Sequence, residues 1–258
     1  MRILFYGDIV GKVGRDAVHL SLPSLVEKYA IDFVVANGEN IARGKGITES
    51  DYRFLLDSGV DVVTLGNHWH SKKQIDDFLP DAENLIRPLN LKGDVPGNGS
   101  AVFSVHGVPL RITNLLGQAF MKEEVDDPID ALASLPSEPI LHLVDFHADS
   151  TSEKAIFAHY YDGMVSAVIG THTHVQTNDA TILSNGTAFL SDVGMCGDPD
   201  GIIGWEADSV IRHIVKGENT PFSLNDNAKH MICACILDLD EATGKAKSIV
   251  PLQKILER

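Results

Sequence analysis

Short apolar runs alternate with amphipathic stretches along the first half of the chain. Arg2–Tyr6 reads as a strand, and residues 15–29 read as a helix with Leu22, Leu25, Val26 and Tyr29 on one face. Pro23 should kink or divide that helix. Phe33–Ala36 is the next strand. Thr48, followed three residues later by Asp51, resembles a capping box and starts a helix through Leu56. Val60–Leu65 is the third strand, and Lys72–Leu79 a short helix before Pro80. The second half carries more strands. AVFSV and VPLRITNLL flank His106-Gly107, a hairpin signal. Residues 140–144 form a strand, residues 152–161 a helix and Val165–Ile169 a strand. ATILSNGTAFLSD places Asn185-Gly186 between alternating runs, a strong hairpin signal, and MICACILDL with the residues after it reads as a last hairpin. Alternation followed by antiparallel pairs predicts an α/β fold of two packed mixed β-sheets flanked by helices. No linker or repeat divides residues 1–258, which predicts a single domain.

Composition narrows the function. The chain has 258 residues, enough for a sizeable core. No apolar run approaches the ~20 residues that span a bilayer, so no membrane partner is expected. The N-terminus meets Gly7 and Asp8 too early for a signal peptide. A formal charge of −15 argues against long nucleic acid as a partner. A small phosphate ester remains compatible wherever bound cations reverse the local field. Cys196, Cys233 and Cys235 make no disulfide framework and predict buried thiols in a cytoplasmic protein.

The chemistry sits where the strands stop. After the first comes Gly7-Asp8, after the second Asn37-Gly38-Glu39-Asn40, after the third Gly66-Asn67-His68. Later strands run into Asp145-Phe146-His147 and Gly170-Thr171-His172-Thr173-His174. Ligands in α/β sheets bind outside the carboxyl ends of strands, so parallel strands would aim all five loops at one crevice. Singly, each piece is weak: an Asp after a strand is ordinarily a turn or cap residue. Together they offer Asp, Glu, Asn and His ligands with no cysteine, a set suited to Mn, Fe or Zn. They exceed what one ion needs and fit two ions about 3.5–4 Å apart.

The blocks GDIVGKVGR, ANGENIARGKGIT, LGNHWHSK, VDFHADSTSEK and GTHTHVQTND resemble the calcineurin-like metallophosphoesterases, and most closely the YmdB-like branch. The resemblance implies a four-layer α/β/β/α sandwich with two divalent or mixed-valence ions, iron or manganese before zinc. It implies Asp8, Glu39, Asn40 and His174 on the first ion, with Asn40 replacing a usual histidine where Val10 stands. It implies Glu39, Asn67, His147 and His172 on the second, Glu39 bridging. His68 is left beside the site as general acid. The implied reaction is in-line attack of a metal-bridging hydroxide on a cyclic nucleotide, 2′,3′-cyclic especially and 3′,5′-cyclic AMP next. A phosphomonoesterase or nucleotidase at the same site, or a metal-stabilised regulatory scaffold, are the alternatives. A homo-oligomer is also implied.

The neighbours carry smaller expectations. Gly66 should permit a sharp backbone turn. Trp69 should pack, and His70 should be a surface or supporting group. Asp149 should cap a helix or support a ligand, and Asp145 should orient a ligating imidazole. Gly44-Lys45-Gly46 reads as a flexible turn and 194–198 as a rim or lid. Phe120, Tyr160 and Trp205 are the aromatic candidates for stacking on a base.

Overall fold

A computed structural model describes residues 1–138 and 140–256; the expected single domain also takes in residues 139, 257 and 258, which lie outside the described residues. In chain order the strands and helices are β1 (Arg2–Tyr6), β2 (Asp8–Ile9), α1 (Gly11–Tyr29), β3 (Phe33–Asn37), α2 (Glu49–Asp57), β4 (Val62–Thr64), α3 (Ile75–Phe78) and β5 (Leu85–Ile86). There follow β6 (Ser100–Val105), β7 (Val108–Leu116), α4 (Pro128–Ala133), β8 (Leu141–His147), α5 (Thr151–Tyr160) and β9 (Ala167–Thr171). The last are β10 (Thr181–Ile182), β11 (Ala188–Leu190), β12 (Met195–Cys196), α6 (Ala207–Ile214), β13 (His230–Leu239) and β14 (Ala246–Leu256).

Two six-stranded mixed sheets result, ordered β14-β13-β1-β3-β4-β5 and β10-β11-β9-β8-β7-β6. In the first, β1, β3, β4 and β5 run parallel; in the second, β7, β8, β9 and β11 do. Side-chain alternation shows how the layers stack. Ile3 and Phe5 of β1 pack with Leu110, Ile112, Leu141 and Leu143 of the other sheet, whereas Leu4 and Tyr6 pack with Val18 and Leu22 of α1. Val144 and Phe146 of β8 face Phe157 of α5 on the opposite outer side. The order helices, sheet, sheet, helices is the expected sandwich, and both parallel sets end at the same crevice.

Local chemistry accounts for the joints. Thr48 Oγ1 accepts from Asp51 N at 3.1 Å, capping α2. His106 and Gly107 both take positive φ, 51° and 86°, and join β6 to β7 as a two-residue turn. Pro23 does not divide α1, which runs unbroken from Gly11 to Tyr29. The proline and His19, whose carbonyl loses its helical donor, are both exposed residues, on the side of the helix where such a loss is tolerated. The expected helix at 72–79 shortens to α3, since residues 72–74 accept i→i−3 bonds from Ile75, Asp76 and Asp77, and a 3₁₀ turn, Leu79–Asp81, follows with Pro80 inside it. The rim expected at 194–198 is instead interior: β12 pairs in parallel with β2, Met195 opposite Asp8. All three cysteines are free and buried.

Candidate metal centre

The five strand-end loops converge. Asp8 on β2 is fully buried, and its Oδ2 accepts from His172 N at 3.2 Å. Its Oδ1 has no hydrogen-bond partner and lies 3.8 Å from His174 Nε2 and 3.9 Å from His147 Nδ1. Glu39 Oε1 is 3.2 Å from His147 Nε2, and its Oε2 accepts from His68 N at 3.0 Å. His147 Nε2 is further surrounded by Asn67 Oδ1 at 3.0 Å and His172 Nδ1 at 3.0 Å. Asn40 lies 3.0 Å from His174 Nε2 through its Nδ2, which also donates to Glu39 Oε1 at 2.9 Å. A ligating Asn40 would turn its amide over to offer oxygen.

Proton counting shows what this cluster lacks. Thr171 Oγ1 donates to Asp145 Oδ1 at 2.7 Å, so its 2.8 Å contact with His147 Nδ1 is one in which the imidazole donates. Neutral His147 then presents a bare lone pair at Nε2 to a carboxylate oxygen, an amide oxygen and a second imidazole nitrogen. The same logic fixes His174: Nδ1 donates to Ile203 O at 2.9 Å, leaving Nε2 as a lone pair. Lone pairs converge with too few protons between them, and an orphaned carboxylate oxygen is buried beside them. The arrangement demands positive charge and fits divalent cations on oxygen and imidazole ligands. Glu39, His147 and His172 bring their ligand atoms within 4.8 Å of one another.

The electrostatics agree. Burial pushes the Asp8 carboxyl up, only partly opposed by His174 and His147. Burial opposes charge on Glu39 too, but His147 and the His68 N–H outweigh it and hold that carboxyl low. Burial would lower His147, yet Glu39, Asp8 and Asp145 raise it to about 9, while burial beside His147 takes His172 down to about 3. The acids around His147 favour positive charge at this point, which a bound cation would supply.

Gly66 has a different reason from the one expected. It is not at positive φ; a Cβ there would sit 2.2 Å from Glu39 Oε2 and 2.6 Å from the His147 ring. Close approach, not turn geometry, excludes a side chain. His68 is half-buried at the edge of the cluster, and burial lowers its imidazole. Trp69 packs on the helix-side core, and His70 pairs with Asp76 at 2.8 Å on the surface. Asp149 is exposed, and Ser150 caps α5 in its place by accepting from Glu153 N. Asp145 orients His147 as expected, although through Thr171.

Several supporting groups escape a reading of the sequence. Lys154 Nζ donates to Asp192 Oδ2 and to Thr171 O, both at 2.9 Å. Asp192 also accepts from Thr173 N and Gly194 N at 2.9 Å. The pair thereby pins the turn in which His172 and His174 take φ of 108° and 67°. Histidines in that region are strained, by about 1–3 kcal/mol each, and need such support. A lysine on the inner face of α5 and an acid after AFLS were the available signals. The Ile203 carbonyl had none.

A family model described as YmdB-like protein matches residues 4–252. The chain belongs to the YmdB-like family. Over 260 residues it is 42% identical to the 2′,3′-cyclic-nucleotide 2′-phosphodiesterase of Bacillus subtilis (strain 168), covering 99% of this chain and 97% of that one. A solved structure described as a novel phosphatase, from Mycoplasma pneumoniae, superposes with a TM-score of 0.92 at 34% identity, covering 99% of this chain and 93% of that one. The calcineurin-like phosphoesterase YfkN from Bacillus subtilis shares the fold at 12% identity, with a TM-score of 0.56 and 99% and 90% of the chains covered. That likeness shows the calcineurin-like fold for this chain.

Proposed function

We propose that this YmdB-like protein is a dinuclear-metal phosphodiesterase that hydrolyses cyclic nucleotides, 2′,3′-cyclic ones first. The observation that carries this reading is the buried cluster of lone pairs around His147 Nε2 and Asp8 Oδ1, with His68 beside it. The Bacillus subtilis relative, at 42% identity over nearly the whole chain, supports the substrate class. Asp8, Glu39, Asn40 and His174 would hold one ion; Glu39, Asn67, His147 and His172 would hold the other. Oxygen and imidazole ligands favour iron or manganese, with zinc as the alternative. Bound ions would supply Lewis acidity, lowering the pKa of water and offsetting phosphate charge.

The residues divide the remaining work. Asn67 contributes a neutral oxygen, which leaves the centre more positive than a carboxylate would and favours an anionic ester. Glu39 Oε2 holds the His68 backbone, fixing where that ring enters the crevice. As water oxygen joins phosphorus, one ring P–O bond breaks and the freed oxygen takes its proton from His68.

Of the three aromatic candidates, we assign Phe120 to the base. It is 85% exposed at φ 64°, in a segment whose Gln118 and Ala119 amides donate to Glu153. The same segment brings Glu123 Oε1 to 3.5 Å from Asn67 Nδ2. Tyr160 instead lines a cavity with His142, at the start of β8 and away from the crevice. Trp205 lies against Gly44 and Phe222.

We read the whole chain as one domain, free of membrane and of long nucleic acid, in a cytoplasm that keeps its three thiols reduced, and assembled as a homo-oligomer. Among the described residues, no helix is long and apolar enough to cross a membrane. The deciding experiment is hydrolysis of 2′,3′-cyclic AMP by manganese- or iron-loaded protein, with nucleoside monophosphates and His68→Ala in parallel. Turnover of the cyclic ester that needs both metal and His68 is expected. Turnover of monophosphates alone would make it a phosphomonoesterase, and no turnover by fully metallated protein would sink the enzymatic reading.

A further inference from the structure

A second feature stands apart from the cluster. A cavity of about 580 Å³ opens against Ile41, Ala42, Arg43 and Thr48, and neither His68 nor any of the seven proposed ligands lines it. Its walls carry Lys12, Arg15, Arg43 and Lys72 against Asp51 and Asp226. Four cations against two acids is a marked local reversal in a chain of formal charge −15. The volume is that of an ordinary small-molecule site.

Pairing separates these cations. Lys12 pairs with Asp16, and Arg15 with Asp51 at 3.3 Å. Arg43 and Lys72 make no side-chain hydrogen bond or ion pair among the described residues. Arg43 also holds φ at 56°, immediately before Gly44 at φ 84°, in a loop closed by Ala42 N donating to Gly46 O and Gly44 N to Asn40 O. A non-glycine residue held in the left-handed region points from strain to a use for its side chain. Lys12 stands in the first turn of α1, which holds no acid and where the helix dipole disfavours positive charge. Its pair with Asp16, one turn on, offsets that cost within α1, so Lys12 stands at the margin of the cavity rather than free within it.

We propose that this cavity is a second anion site, taking the phosphate of a small molecule on Arg43 and Lys72 with Lys12 and Arg15 at its margin. A guanidinium offers a phosphate two parallel donors and an ammonium a point charge, the pairing common in phosphate recognition. Occupancy would also brace the loop that carries Asn40 and places Lys45 near His68. The proposal does not depend on which ester the metal centre hydrolyses.

Calorimetric titration of manganese-loaded protein tests it, with inorganic phosphate and 3′-AMP as the two sources of such a group. Wild type should bind at two sites, one at the metal centre and one in the cavity. Arg43→Gln/Lys72→Gln should weaken one of them at least tenfold, and Arg43→Lys/Lys72→Arg should keep it. Whichever probe binds the cavity more tightly names the source. Hydrolysis of bis(p-nitrophenyl) phosphate should be unchanged in both variants, which shows that they fold. One site in wild type, or two that the glutamine variant leaves intact, would overturn the proposal.

Discussion

Lys154 Nζ lies 2.9 Å from the Asp192 carboxylate, with both side chains shut away from water. An isolated buried charge is costly, whereas a pair whose remaining donors and acceptors are met is tolerated. Here the ammonium also reaches Thr171 O, and the carboxylate takes the amides of Thr173 and Gly194. The pair ties α5 to the turn that presents His172 and His174.

Removing one partner strands the other. Asp192→Asn or Lys154→Met should cost about 3–5 kcal/mol of stability. Urea unfolding midpoints measure it, and a change under 1 kcal/mol would show that the pair is not a constraint. Where the variants still fold, metal content should fall with them, because the His172–His174 turn loses its anchor.

Thr171 passes the pull of Asp145 to His147. Thr171→Val keeps the shape of the side chain but takes away the acceptor for His147 Nδ1–H. Metal affinity should drop about 10–100-fold, the usual consequence of losing a group that orients a ligating imidazole. Competition against a chelator reads this directly; an unchanged affinity would mean that the imidazole is oriented by packing alone.

His142 predicts how stability changes with pH. Burial, helped by Arg111, takes its imidazole from 6.5 down to about 3, while Nε2 bonds Thr113 Oγ1 at 2.8 Å. A folded-state value below the unfolded one means the stabilisation is complete above pH 6.5 and is lost as pH falls from there toward 3. By pH 4 the loss should reach about 3 kcal/mol. His142→Gln, though less stable at neutral pH, should lack this slope between pH 6.5 and 4; parallel slopes in both proteins would remove His142 as the cause.

Phe120 predicts substrate preference. Stacking on an aromatic ring is worth about 1–3 kcal/mol per base. Phe120→Ala should therefore raise KM for 2′,3′-cyclic AMP about tenfold, with hydrolysis of bis(p-nitrophenyl) phosphate, which has no base, within twofold of wild type. An equal loss on both substrates would show a general effect on the crevice.

The sequence by itself determined the layers and the loops that carry chemistry. Period-2 and period-3.6 patterns are local, so β1, β3, α2 and the β6–β7 hairpin were legible within a residue or two, and each strand-end motif announced its own polar tip. Tertiary structure decided what those tips rest on. Lys154 and Asp192 are 38 residues apart, and Ile203 reaches His174 over 29, with a backbone carbonyl that no side chain marks. The 194–198 segment looked like a rim because glycines read as loop, yet it is buried and Met195–Cys196 within it pair with β2. Gly66 looked like a turn residue, yet what excludes its Cβ is the Glu39 carboxylate and the His147 ring, brought in from two other strands. Local propensity travels with the residue, whereas proton direction, close approach and burial are properties of neighbours that only folding supplies.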